Sequence, residues 1–455
     1  MKRLVVLLSF AYFFNACAPE KAPNIIFLLT DDQRWDALGY AGNDIIETPN
    51  MDKLASEGVL FKNAYVTTPI CAVSRASFLS GQYSRKHGIH GFSTHFSDRA
   101  YQFTYPMQLK SAGYKIGFIG KYGIGKGEDY PADQYDYWKC FPGQGKYWHK
   151  RKDGSDIHLT EIMGDQAIEF LGMDFNDSSF CLSVSFKAPH VQDSDPRQFL
   201  YDSTYIDLYK DATIPIPLTA DSSYWESFPE FFKKNNEARR RWAMRFSTPE
   251  KFQTSVKGYY RLIYGVDVVL GRIREALIEK NLDKNTVIML MGDNGFYLAD
   301  HGLAGKWYAH EESIRVPFIV YDPRLPDQYK GQMLEQMALN IDVAPTILDF
   351  AGLPIPKVMQ GKSVTPLLKG NDAGWRDSFL FEHLFVHDKI PRSEGIIKKD
   401  QKYIRFLVDD PQREWLFDLA TDPHETINFA DSSEYNNLKE NLIIETEELI
   451  SRTSN

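Results

Sequence analysis

Residues 25–32 read I-I-F-L-L-T-D-D. A run that is apolar at consecutive positions, with no polar alternation, is the pattern of a central strand buried on both faces of a sheet. It ends in two adjacent carboxylates, Asp31 and Asp32. The C-terminal end of such a strand is where open α/β sheets bind their ligands. Like charges this close repel unless a cation lies between them, and hard oxygen donors suit calcium or magnesium better than zinc. For an Asp-Asp pair standing alone, a solvated turn or a helix cap is the commoner setting.

Downstream, residues 59–66 read as the next strand and lead into 69–81, P-I-C-A-V-S-R-A-S-F-L-S-G. This spacing places Cys71 at or just before a helix N-terminus, where free amides and the macrodipole favour an anion. Arg75, four residues on, returns to the same face. An isolated cysteine in such a place is more often a buried core residue. Three further strands end in charged residues. Residues 115–119 run into G-K-Y-G-I-G-K-G, where Lys121 and amide donors can meet an anion. Residues 180–186 run into K-A-P-H, with His190 a candidate general acid. Residues 286–291 end in G-D-N-G, so Asp293 and Asn294 form a second pair placed like Asp31 and Asp32. Two such pairs favour a metal site over two separate turns. The following H-G-L-A-G-K supplies Lys306.

Helices are expected over 105–113, 159–171, 249–280 and 340–352, and a strand over 314–321. Residues 191–248 lack clear periodicity and read as an insertion over the sheet. His90 and His95 sit in a loop rich in Gly, Ser and Thr with no ligand at zinc spacing. They are equally surface histidines or contacts to a substrate. From residue 371 short alternating strands (379–382, 395–398, 402–406, 414–418) and a helix over 433–450 predict a small antiparallel α+β domain. The expected fold is α/β, a large mixed, mostly parallel sheet sandwiched by helices.

The chain's 455 residues, 43% hydrophobic and 25% charged, suit one large core and a smaller unit. A net charge of −9 argues against nucleic acid, so an anionic substrate must be drawn in by a local cationic cluster. Lys2 and Arg3, an apolar run over 4–14 and N-A-C at 15–17 have the anatomy of a signal peptide, too short to span a membrane. Ala16–Cys17 resembles a bacterial lipobox whose cysteine is lipidated; the alternative is ordinary cleavage. Either implies export, as a periplasmic or outer-membrane lipoprotein in the first case. Cys140 and Cys181 either pair or are simply buried.

Taken in order, T-D-D-Q-R (30–34), C-A-V-S-R-A-S-F-L-S-G (71–81), G-K-Y (120–122), A-P-H (188–190), G-D-N-G (292–295), G-K-W (305–307) and L-F-D-L-A-T-D-P-H-E (416–425) resemble the type I, formylglycine-dependent sulfatases of the alkaline phosphatase-like superfamily. The resemblance covers nearly everything after the signal segment. With the signal segment taken over 1–17 and the change of texture at 371 giving a C-terminal subdomain over 371–455, it implies a catalytic domain over 22–370. It also implies that a formylglycine-generating enzyme oxidises Cys71 to formylglycine (3-oxoalanine), whose hydrate attacks sulfur in line and then collapses to release sulfate. Asp31, Asp32, Asp293, Asn294 and the modified Cys71 match the calcium ligands, with magnesium the lesser fit. Arg75, Lys121 and Lys306 match the cations that hold sulfate, and His190 the group that protonates the leaving oxygen.

Two positions depart from the family pattern. Val73 stands where proline or alanine is usual, and Gly123 where a histidine is usual. F-P-G-Q-G-K-Y at 141–147 is similar to a segment of glucosamine-6-sulfatases, and the implied substrate is a sulfated glycan. A phosphatase, phosphodiesterase or phosphonate hydrolase on the same scaffold, or a non-catalytic sulfoglycan-binding relative, are the alternatives. Membrane contact is expected only through a lipid at Cys17.

Overall fold

The first strand lies between the two larger hydrophobic cores. In the computed structural model, which describes residues 21–408 and 413–454, Ile25, Phe27 and Leu29 enter one hydrophobic cluster while Ile26 and Leu28 enter another. Alternate side chains of a strand point to opposite faces, so a strand between two cores is apolar at every position. The expected signal segment and Cys17 lie outside the described residues.

Eight segments pair in one sheet: β1 (Asn24–Asp31), β2 (Val59–Phe61), β3 (Lys115–Lys121), β4 (Tyr137–Phe141), β5 (Phe180–Pro189), β6 (Thr286–Gly292), β7 (Phe318–Tyr321) and β8 (Gln332–Leu334). Their order is β8-β2-β7-β6-β1-β5-β3-β4. Only β7 runs against its neighbours. The parallel strands β1, β3, β5 and β6 therefore end on one edge.

One face of the sheet is covered by α1 (Pro49–Glu57), the other by α2 (Cys71–Ser80). The α1 face also carries α3 (Leu159–Leu171) and α4 (Pro249–Glu279). With α2 packs α5 (Val343–Phe350). The C-terminal strands β9 (Ser378–His383), β10 (Ser393–Lys398), β11 (Gln401–Phe406) and β12 (Arg413–Asp418) form an antiparallel sheet. Ile396, Tyr403 and Leu416 face α6 (Asn436–Ser454), while Ile397, Ile404 and Trp415 join the α2-side core.

Two expected strands are shorter than the pattern suggested. Residues 59–66 split after β2: Lys62 and Asn63 turn outward, and Ala64–Tyr65 pairs with Ala338–Leu339 in a separate ribbon. The 314–321 stretch opens as a helical turn (Glu311–Ile314), and β7 starts only after Pro317, which has no N–H to give a ladder. Cys140 lies opposite Gly120 and Cys181 opposite Ile116, on strands that flank β3, and both are free thiols. Among the described residues no helix is long and apolar enough to cross a membrane.

Candidate active site

Four strand ends meet at the N-terminus of α2. Asp31 ends β1 and Asp32 follows it, Lys121 ends β3, His190 follows β5, and Asp293 and Asn294 follow β6. The helix α2 begins at Cys71, its N-cap Ile70 is extended, and no side chain caps its first amides. Every residue of α2 is buried, so its dipole acts in a medium that screens it poorly. Asp32 sits at φ 71°, a left-handed conformation uncommon for a residue other than glycine. The Tyr259 hydroxyl, donating to Asp32 O at 2.7 Å, and Asp293 Oδ1, accepting from Asp32 N–H at 3.1 Å, hold it there.

Cys71 Sγ lies 3.4 Å from Asp31 Oδ1 and 2.9 Å from Lys306 Nζ. Lys306 also donates to Asp32 Oδ1, and Lys121 donates to Asp31 Oδ2 at 2.5 Å. Arg75 donates through Nε to Asp293 Oδ2 at 3.0 Å and through Nη1 to the Lys121 carbonyl at 2.6 Å. His190 turns Nε2 toward Asp32 Oδ2, 3.7 Å away, and Nδ1 toward Val191 O at 2.6 Å. Asn294 Nδ2 donates to Asp32 Oδ1 at 2.6 Å.

The donor set fits a hard divalent ion. Asn294 Oδ1 is buried with no hydrogen-bond partner, a costly state for an amide oxygen unless a ligand completes it. Ligand atoms of Asp31, Asp32, Cys71 and His190 lie within 4.8 Å of one another. The charge balance points the same way. Burial raises Asp31, yet Lys121, His190, Arg75 and Lys306 together hold it well below the usual carboxylate range. Burial pushes Asp32 up, and burial with the Asp31 charge pushes Asp293 up to about 7. Three carboxylates face three cations in the pocket, yet burial and the Asp31 charge still push Asp32 and Asp293 up, a cost that a divalent ion between the carboxylates relieves.

Burial and Asp31 push the Cys71 thiol up to about 12. Such a thiol stays protonated and is a poor nucleophile. Burial likewise holds the His190 imidazole well below its ordinary value.

Nine sequence-singled residues thus share one buried cluster: Asp31, Asp32, Cys71, Arg75, Lys121, His190, Asp293, Asn294 and Lys306. His90 and His95 stand apart, and among the described residues neither hydrogen-bonds to the cluster. The half-exposed His95 packs against Gly125 in the loop after Lys121, and His90 Nδ1 is buried without a partner. Gly123 has a left-handed φ of +73°, and a Cβ there would lie 3.2 Å from Arg75 Cδ and 3.7 Å from Lys121 Cε. A histidine at 123 would be strained and would crowd Arg75. Val73 packs into the core.

Sequence reasoning did not single out Ser185, which accepts from Arg75 Nη1, or Gln144, whose Oε1 accepts from Lys121 Nζ at 2.6 Å. It also passed over Tyr147, Lys187 and Tyr259. A glutamine between two glycines and a lysine closing an apolar strand were the available signals.

Fold and cluster together define a hydrolase site whose carboxylates suit a cation and whose lysines and arginine suit a small anionic group. The sulfatase family profile matches residues 23–353, and that of the N-sulphoglucosamine sulphohydrolase C-terminal region matches residues 299–452. The chain belongs to the sulfatase family and is a sulfuric ester hydrolase. It is 31% identical to an arylsulfatase of Clostridium perfringens, covering 91% of both chains. It is 28% identical to an N-acetylglucosamine-6-O-sulfatase of Bacteroides thetaiotaomicron, over 91% of this chain and 84% of that one. A solved structure of a protein in complex with its substrate D-glucosamine-2-N,6-O-disulfate superposes with a TM-score of 0.79 at 26% identity, covering 95% of this chain and 98% of the other.

Proposed function

We propose that the protein is an exported, calcium-dependent sulfatase that removes sulfate esters from sulfated glycans, with formylglycine at position 71. The observation that carries this is the Cys71 side chain, held at the start of a buried helix between Asp31 and Lys306. In this reading Asp31, Asp32, Asp293 and Asn294 hold calcium, and a formylglycine-generating enzyme matures Cys71. Once both are in place, the hydrated aldehyde supplies an oxygen nucleophile whose acidity the ion increases.

The chain's own side chains do the rest. Arg75, Lys121 and Lys306 bind the sulfate oxygens and oppose the charge that develops as the ester bond breaks. His190 stands ready to protonate the leaving oxygen, which matters because a sugar alkoxide is too basic to depart unprotonated. An anionic ester brought beside the imidazole favours its protonated form. His90 and His95 are assigned to the rim, where a sugar would lie. Residues 22–370 form the catalytic domain in this reading and 371–455 a supporting subdomain. Cys17 carries the lipid of a bacterial lipoprotein.

Two of the three relatives named above and the F-P-G-Q-G-K-Y segment favour a 6-O-sulfated glucosamine unit as the substrate. The test has two arms. Peptide mass spectrometry of active enzyme should show position 71 about 18 dalton lighter than cysteine, as CH₂SH becomes CHO. Sulfate release from defined sulfated monosaccharides should be greatest for glucosamine 6-sulfates. An unmodified cysteine in fully active protein would overturn the nucleophile, and preference for another sulfated position would overturn the substrate.

A further inference from the structure

Lys187 closes β5 three residues before His190 and is buried to 1% exposure. Its ammonium makes no ion pair among the described residues. It donates to Val191 O at 3.2 Å and lies 4.9 Å from the centre of the Tyr147 ring. A buried cation without a carboxylate partner is expensive to keep, and burial with the neighbouring Lys121 charge pulls Lys187 down to about 8. A leucine or methionine would fill the same space at less cost.

The geometry around it is a brace for the His190 turn. His190 N–H donates to Lys187 O at 2.9 Å, and the Tyr147 hydroxyl donates to His190 O at 2.5 Å. The Val191 oxygen that accepts from Lys187 Nζ lies 2.6 Å from His190 Nδ1. A carbonyl oxygen only accepts, so a neutral His190 carries its proton on Nδ1 and leaves Nε2 facing Asp32 and the site.

We propose that Lys187 is a positioning residue: by holding the Val191 carbonyl, it fixes His190 with Nδ1–H toward the main chain and Nε2 toward the leaving oxygen. This rests on His190 acting as the proton donor of the proposed function. Among the described residues Lys187 Nζ donates to none of the carboxylates assigned to the ion. Losing it should weaken proton delivery while sparing sulfate binding.

The test compares the full-length, matured enzyme with its Lys187→Met variant. Long-range ¹H–¹⁵N correlation on histidine-labelled protein, with His190 assigned through His190→Gln, reports the tautomer directly. The native chain should show Nδ1–H, and Lys187→Met a mixture of tautomers. In kinetics, Lys187→Met should lower kcat on a sugar 6-sulfate by about tenfold or more, and leave kcat on 4-nitrophenyl sulfate, whose phenolate leaves unaided, within about twofold. An Nε2–H tautomer in the native chain overturns the proposal without any variant. So does an unchanged tautomer in Lys187→Met, or an equal loss on both esters. If the native enzyme releases sulfate from neither ester, the proposed function fails instead, and the tautomer measurement still decides the role of Lys187.

Discussion

Lys306 sits among Asp31, Asp32 and the Cys71 thiol, whereas Lys402, on β11, sits among Glu311 at 2.7 Å, Glu425 at 2.8 Å and the Ala309 carbonyl at 3.0 Å. Both are buried lysines between carboxylates. Lys402 donates to the Ala309 carbonyl and to Glu425 and forms an ion pair with Glu311, and Glu425 also accepts the Glu311 N–H at 2.7 Å. That knot fastens the C-terminal sheet to the turn before β7. Lys306 instead gives a donor to a sulfur atom and another to Asp32 Oδ1, which also accepts from Asn294 Nδ2. A buried lysine–carboxylate pair is therefore weak evidence of function by itself. What distinguishes the candidate site is that ligand atoms of Asp31, Asp32, Cys71 and His190 gather within 4.8 Å of one another where parallel strands end.

The contrast breaks most sharply at Cys71. Cys71→Ala should lower kcat by about 10⁶-fold, as loss of a covalent nucleophile does, while thermal unfolding stays close to the native midpoint. Retained sulfate release would dismiss the cluster as the reaction centre.

Paired lysine substitutions come next. Lys306→Met should lower kcat by about 10²–10³-fold through loss of one charge-stabilising contact. Lys402→Met should instead destabilise the fold by about 3–5 kcal/mol, since two carboxylates lose their shared cation, and leave turnover per folded molecule unchanged. Denaturant unfolding and active-site-normalised kinetics separate the two, and equal kinetic losses would erase the distinction.

Metal removal should affect one cluster only. Chelation should abolish activity, calcium should restore it better than magnesium, and calcium at about 100 times its Kd should stabilise the fold by about 2.7 kcal/mol. Asn294→Leu should lose that stabilisation. A calcium response in Asn294→Leu equal to that of the native chain would place the ion elsewhere.

The smallest effect is expected from pH at the Lys402 knot. Burial, with Glu311 and Glu312 nearby, pushes Glu425 up from 4.5 to about 7 against the pull of Lys402. The folded state then binds a proton more tightly than the unfolded chain between those values. Its contribution to stability is full below 4.5 and is lost as pH rises through about 7. Unfolding of the native chain should weaken by about 1–3 kcal/mol between pH 5 and 7.5, and Glu425→Gln should flatten that slope. An identical slope in the variant would assign the titration to another group.

Much of the architecture was legible in the chain. The unbroken apolar run of β1 announced a strand between two cores, and Cys71 starts its helix where the motif places it. The expected strands over 115–119 and 180–186 run further, to Lys121 and Pro189, because their polar ends are buried by the site they serve. The split at Lys62 was not legible, because leaving one sheet for another depends on the neighbours available. Nor was the meaning of Gly123, whose missing side chain makes room for Arg75. Lys187 was passed over because a lysine at a strand end is ordinarily solvated.

Local pattern was enough to say where strands end, where the helix of Cys71 begins and which residue types could hold an anion and a hard cation, because those features depend on a few neighbouring residues. Whether the charged residues share one volume was settled by sheet order. Lys306 is 235 positions from Cys71 and 2.9 Å from its sulfur, while Lys402, no less buried, lies in a different knot. Folding brings distant strand ends together, and no short-range regularity in the chain records which of them will meet.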